Sequence, residues 1–294
     1  MRYRLRHVTR YSYEEPVDLA CHMLHLLPRP LPRQSILSAT LDSEPAAGRV
    51  CAARDHFGNE VRWLFLDRPH RQFRVTLHAE VEVHPLPPPE TAPSWEEIAA
   101  RLRTPTEETW PAAEFVQASP LVGALAAAGA YAAPSFAPGR PVQDVLQDLA
   151  GRIHHDFAFR PGVTSVVTGV AQVLAGRAGV CQDFTHVMLA GLRAHGLAAR
   201  YVSGYLRTRP APGRPRRRGA DQSHAWVEAW LGPEAGWLGI DPTNNLPAGE
   251  EHVVLGWGRD YGDISPLRGV LLGGGAHRLA VSVDLDAAEE AENH

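Results

Sequence analysis

The feature that most limits how this chain can fold is a change of hydrophobic period across a proline-rich stretch, "HPLPPPETAPS", residues 84–94. Proline fixes φ and removes a backbone donor, so such a run is a stiff, extended connector rather than a packed element. Before it, "YRLRHVTRYSY" and "FRVTLHAEVEV" alternate apolar and polar residues, and "VRWLFLD" is rich in strand formers. That two-residue period predicts a half-buried antiparallel sheet of sandwich type, with "DHFGNEV" as a turn. After it, Val142, Val145, Leu146, Leu149 and Ile153 recur at helical spacing behind Pro141, which predicts an amphipathic helix. The expectation is an α+β chain: a β-rich part over 1–84, a connector over 85–94, a second part over 95–262 and a final stretch over 263–294. That last stretch holds one more strand, "HRLAVSVDLD", a candidate to rejoin the first sheet, and an acidic end, "AAEEAENH".

Bulk properties exclude more than they select. The chain has 294 residues, 44% apolar and 21% charged, with a net charge of −4. Such values fit a soluble globular protein and give no reason to expect nucleic acid or an anionic membrane as partner. No window approaches the roughly 20 apolar residues of a membrane helix, and "MRYRLRHVTRYSYEE" has no apolar signal region. The expected location is the cytoplasm, and nothing in the sequence sets an oligomeric state. Cys21, Cys51 and Cys181 show no zinc spacing. A Cys21–Cys51 disulfide is conceivable, but buried reduced thiols are the expectation in a reducing compartment.

Cys181 stands apart. It follows Gly176 and Gly179 and heads "CQDFTHVMLAGLRAHG", in which Phe184, Val187, Met188, Gly191 and Leu192 share a helical face and Gly196 suits the position after the helix end. At a helix's first turn, unsatisfied N–H groups and the dipole favour a thiolate. The two glycines would let the chain turn and leave the sulfur open. Asp183 opposes the thiolate electrostatically and is expected to serve the helix start. A base is found in "SHAWVEAWLGPEAGWLGIDPTNN". Folded as a hairpin centred near residues 233–234, this segment brings His224 within two residues of the position facing Asp241, within diagonal reach. A cysteine, a histidine and a carboxylate that orients the ring make a nucleophile, an acid–base and its positioning group. Trp226, Trp237 and Gln222 flank the pair and are the candidate substrate contacts.

"GVCQDFTH", "SHAWVEAW" and "WLGIDPTNN" resemble the three catalytic blocks of the transglutaminase-like superfamily, whose core is related to papain. "LPRP", "DHFGNEV", "FRPGVTSVVT" and "GWGRDYGDISPLRGV" resemble the bacterial members with a β-rich amino-terminal region, so the likeness runs nearly end to end. It implies a papain-like core, Cys181 as nucleophile, His224 as acid–base, Asp241 as orienter, and an oxyanion held partly by the Cys181 backbone N–H. Trp237, Gln172 and Gln222 are candidates for the second oxyanion donor. The implied reaction is acyl transfer from a peptide or protein amide through a Cys181 thioester, resolved by water or by an amine. Amide hydrolysis is the leading expectation and transamidation the second. A non-catalytic binding module of the same shape is the alternative of another class, and arylamine N-acetyltransferase shares the triad order but not the hairpin pattern.

The remaining features add no cofactor or metal. Adjacent His154 and His155 face different directions on a helix, "LGGGAH" lacks a phosphate cradle's context, and no EF-hand loop is present. His186 is expected to be a surface or interface histidine. Arg214, Arg216, Arg217 and Arg218 crowd a Pro/Gly-rich segment ahead of His224. That segment reads as a solvated loop, or as a flap attracting an acidic substrate.

Overall fold

Along the first half of β1 (Arg2–Leu24), Tyr3, Leu5 and His7 are buried while Arg2, Arg4 and Arg6 are exposed, so one face of this strand is built for a core. A computed structural model describes residues 1–85, 93–208 and 222–288. The expected connector and the acidic end fall partly, and the Arg214–Arg218 cluster wholly, outside the described residues. β1 is followed by β2 (Gln34–Glu44), β3 (Arg49–Arg54), β4 (Glu60–Leu66) and β5 (His70–Val83), in the order β2-β5-β1-β4-β3. The register of β1 against β5 breaks between Ser12 and Val17, around Pro16, which cannot donate to a ladder. This break lets one long strand pair mainly with β5 along its first half and with β4 along its second. Tyr13, Val17, Ala20 and Leu24 then meet Leu64, Leu66, Phe73 and Val75 in one apolar cluster.

The second part begins with helices: α1 (Trp95–Arg103), α2 (Trp110–Ala113), α3 (Ala126–Ala132) and α4 (Val142–Asp156). Ser94 and Glu97 form a reciprocal capping box on α1, and Pro141 caps α4, whose stripe from Val142 to Ile153 is fully buried. Next come β6 (Ala158–Phe159), α5 (Val170–Gly176), β7 (Ala178–Gly179) and α6 (Cys181–Ala194). Helix α6 is buried from Asp183 to Arg193 and is therefore the central helix rather than a surface one. It packs on a sheet of β8 (Ala199–Leu206), β9 (Gln222–Trp230), β10 (Trp237–Asp241), β11 (Leu246–Pro247) and β12 (His252–Gly258), ordered β11-β10-β9-β8-β12. Phe184, Val187, Met188, Leu189 and Leu192 join Tyr201, Ala225, Val227, Ala229 and Ile240 in the main core. Each fully buried Leu, Val or Phe there contributes about 1.5–3 kcal/mol.

The chain then returns to the first sheet. β13 (Leu267–Gly273) pairs with the second half of β1 and β14 (His277–Ala287) with the first half. The β-rich part is thus completed by residues from the far end of the chain. Among the described residues, no helix is long and apolar enough to cross a membrane.

The two parts meet along β12, an edge strand whose outward backbone groups need partners. Side-chain amides supply them. Gln34 donates to Val254 O at 2.7 Å and accepts from Val254 N at 2.8 Å; Asn59 does the same for Trp257 O at 2.7 Å and Trp257 N at 3.0 Å. Arg29 and Arg200 each stack on Trp257 at 3.6 Å. The "LPRP" and "DHFGNEV" segments therefore serve this seam.

The cysteines correct one expectation. All three are free thiols, and Cys21 and Cys51 are half-buried rather than core residues. Cys21 faces Phe65 and Cys51 faces Trp63 on the strand between them. Two strand spacings are about 10 Å, beyond the reach of a disulfide.

Candidate active site

The start of α6 and the β9–β10 hairpin bring the candidate residues together. Backbone pairing of β6 with β7 brings Phe159 beside Gly179, and α6 starts two residues later. Asp183 lies in the first turn, where its carboxylate accepts from Val180 N at 2.7 Å and Thr164 Oγ1 at 2.7 Å. It thus serves the helix start, as expected. The glycines act differently from expectation. The left-handed residue is Arg177 (φ 48°), at the end of α5, whereas Gly176 has open space around it. Gly179 is needed for room: a Cβ there would sit 2.6 Å from Asp183 Oδ2. Cys181 remains part-exposed at the mouth of this turn.

The β9–β10 hairpin supplies the other two groups. Trp237 pairs with Trp230 and Ile240 with Val227, so the ladder's continuation sets Asp241 diagonal to His224. His224 Nε2 lies 2.8 Å from Asp241 Oδ2, and Cys181 is close enough to the ring to act on its charge. The "DPTN" turn fixes the carboxylate: Asp241 Oδ1 accepts from Thr243 N at 2.9 Å and Asn244 N at 3.2 Å, and Oδ2 accepts from Asn244 Nδ2 at 2.7 Å. Burial works against charge on His224, but its interactions with Asp241 and Cys181 prevail and push its pKa up to about 10. Burial likewise opposes the Asp241 anion, yet hydrogen bonds from His224 and Asn244, with His252 nearby, hold that carboxyl well below the usual range.

His252 is the residue sequence reasoning missed. It is buried on β12, accepts from Gly249 N through Nδ1 at 3.2 Å and presents Nε2 to Asp241 Oδ2 at 3.6 Å. An acceptor Nδ1 in a neutral ring places the proton on Nε2, facing the carboxylate. Burial keeps His252 neutral by lowering its pKa, against the pull of Asp241.

The expected substrate contacts fare differently. Trp226 is fully buried with Val202 and Val254 and stacks beside His224, so it cannot line a cleft; the covering strand β12 is the reason. Trp237 sits at the opposite end of β10 from Asp241, about 13 Å along the strand. There its ring stacks on Arg200 at 4.1 Å and meets Phe115 edge-on. Gln222 opens β9, but its side chain lies outside the described residues. Gln172 is exposed on α5. His186, expected at a surface, is buried and accepts from Tyr261 N at 3.2 Å.

His224, Asp241 and His252 present donor atoms within 4.8 Å of one another, a set with metal-ligating chemistry. The arrangement fits hydrogen bonding better. Two ligands on one tetrahedral zinc stand about 3.3 Å apart, whereas His224 Nε2 and Asp241 Oδ2 are separated by 2.8 Å. His154 turns elsewhere, with Nδ1 donating to Thr243 O at 2.8 Å.

Comparison with known proteins adds three findings. Residues 3–82 match the family described as the bacterial transglutaminase-like N-terminal region, and residues 130–242 match the transglutaminase-like superfamily. An uncharacterized protein of Mycobacterium tuberculosis is 40% identical, over 97% of this chain and 92% of its own length. A protein-glutamine gamma-glutamyltransferase of Pseudomonas aeruginosa is 33% identical over 43% of this chain and 20% of that protein. Among solved structures, a candidate cysteine protease from Cytophaga hutchinsonii superposes with a TM-score of 0.75 at 19% identity, covering 98% of this chain and 91% of the other.

Proposed function

Because the chain belongs to the bacterial transglutaminase-like family, whose superfamily carries out cysteine-dependent chemistry on amide bonds, we propose that it is a thiol acyl-transfer enzyme. Cys181 is the nucleophile, His224 the acid–base and Asp241 the group that orients His224. The observation that carries this reading is the His224 ring, bonded to Asp241 at 2.8 Å and close enough to Cys181 for the sulfur to raise its pKa. With Nε2 committed to Asp241, Nδ1 is the nitrogen that exchanges a proton with the sulfur.

In the reaction, the thiolate adds to an amide carbonyl and the oxyanion forms near the Cys181 backbone N–H, at the start of α6. The carbonyl re-forms, the C–N bond breaks and the His224 imidazolium gives its proton to the departing amine. A thioester on Cys181 remains. His224, now neutral, takes a proton from water, whose oxygen attacks the thioester and releases the acid and the thiol. Hydrolysis of a peptide or protein amide is the primary reading. Transamidation, in which an amine replaces water, is favoured as the second by likeness to the Pseudomonas gamma-glutamyltransferase over 43% of this chain.

We place the enzyme in the cytoplasm, where Cys21 and Cys51 would stay reduced; cell fractionation checks this. Turnover of peptide libraries with and without a primary amine, against a Cys181→Ser control, tests the chemistry. Free acid with no amine adduct marks a hydrolase, and amine incorporation marks a transamidase. No product from either, with Cys181 alkylating no faster at pH 6 than Cys21 and Cys51, would leave the binding-module alternative.

A further inference from the structure

We propose that the segment Phe159–Thr168 forms an apolar subsite beside Cys181, and that the amide substrate carries an aliphatic side chain next to its scissile carbonyl. This rests on Cys181 being the nucleophile. Phe159 is 49% exposed, Val163 55%, Val166 53% and Val167 74%. Over 95–262, among the described residues, the other exposed large apolar side chains are Trp110 at 67% and Leu246 at 37%. The exposed apolar surface of the catalytic part is therefore concentrated in one nine-residue stretch, and such concentration marks a contact surface.

Its position is set by the nucleophile's own turn. Arg160 N donates to Gly179 O at 2.8 Å, Gln182 Nε2 donates to Val166 O at 3.0 Å, and Thr164 Oγ1 donates to Asp183 Oδ2 at 2.7 Å. These three bonds reach residues on both sides of Cys181. Within the segment, Ser165 N donates to Thr168 Oγ1 at 2.8 Å and Thr168 N to Ser165 O at 2.9 Å. The valines are thus held by a closed turn fastened to residues 179, 182 and 183, a preorganised wall rather than a loose loop. Contiguity with the reacting sulfur identifies the occupant. A group bound here belongs to the same molecule as the carbonyl under attack, and four apolar side chains select an apolar one.

The test uses chloromethyl ketones of N-acetyl-leucine, N-acetyl-glycine and N-acetyl-glutamate on the intact protein, reading alkylation of Cys181 by mass spectrometry. Burying one leucine side chain should favour the leucine reagent over glycine by about tenfold or more. The leucine-to-glycine ratio should fall to about twofold in Val166→Ser/Val167→Ser and to an intermediate value in Val167→Ser alone. Equal rates for leucine and glycine overturn the subsite, as does a preference for glutamate, or a ratio unmoved by the serine variants. Iodoacetamide, which carries no side chain, separates the two claims. If it labels Cys181 at pH 6 ahead of Cys21 and Cys51 while leucine shows no advantage, the nucleophile stands and the subsite falls. If it does not, both fall.

Discussion

His252 Nε2 lies 3.6 Å from Asp241 Oδ2, on the strand that the β-rich part holds in place through Gln34 and Asn59. The neutral imidazole, its Nδ1 occupied by Gly249 N–H, is a fourth group directed at a buried carboxylate. It links the seam between the two parts to the candidate triad. His252→Ala should slow turnover about tenfold, because a buried anion loses the polar N–H that faces it. His252→Gln, which retains an N–H donor, should recover most of that loss. If His252→Ala keeps full activity and loses only thermal stability, the residue merely packs against Trp226.

Asp241→Asn is the sharper test of the orienting role. Asn keeps the carbonyl that caps Thr243 N and Asn244 N, so the turn should survive. It no longer offers an anion to His224 Nε2. Without that charge the His224 pKa should fall from about 10 towards its ordinary 6.5. The basic limb of the pH–rate profile, set by loss of the imidazolium, should therefore move to lower pH. A loss on the order of 10³–10⁴ in turnover is expected from the tautomer argument. An unshifted basic limb would remove Asp241 from its assigned role.

What could be read from residues alone follows the range of each interaction. The His224–Asp241 approach depends on the centre of one short hairpin, which local turn chemistry reveals. His252 arrives through β12, which pairs with β8 and not with its sequence neighbour β11, so no local pattern announces it. Trp226 shares strand parity with His224, but parity cannot say that β12 and Val254 cover that face. His186 was misjudged because a helix with one apolar stripe was expected, whereas α6 is enclosed on all sides. The return of β14 to β1 was a candidate without direct support in the residues, and β13 and the register of both strands were not foreseen.

Gly204 tests how tightly the site is built. It faces His224 across the β8–β9 ladder, and a Cβ there would sit 2.1 Å from Val253 O and 2.5 Å from the Trp226 ring. The backbone oxygen cannot move without breaking the β8–β12 pairing. Gly204→Ala should cost about 3 kcal/mol or more in a urea melt and displace Trp226, changing tryptophan emission. Gly176→Ala, with nothing within 4 Å of its new methyl, should be neutral or slightly stabilising. Comparable costs for the two variants would show that the sheet has slack at the ring.

Buried histidines set opposing limits on stability. Burial lowers the pKa of His7 to about 4, and burial with Arg193 nearby, partly offset by Asp260, does the same for His186. The unfolded chain binds protons at these sites from pH 6.5 downward while the folded chain does not until about 4. Stability should therefore fall between those values, by up to about 3 kcal/mol per histidine. His224 acts in the other direction. Its raised pKa contributes stability that is complete below 6.5 and lost as pH climbs towards 10. Urea midpoints should peak near neutrality and decline on both sides. His186→Gln, which can still accept from Tyr261 N, should flatten the acid side, and Asp241→Asn the alkaline side. A midpoint that keeps rising as pH drops from 7 to 5 would contradict the neutral, buried state of these rings.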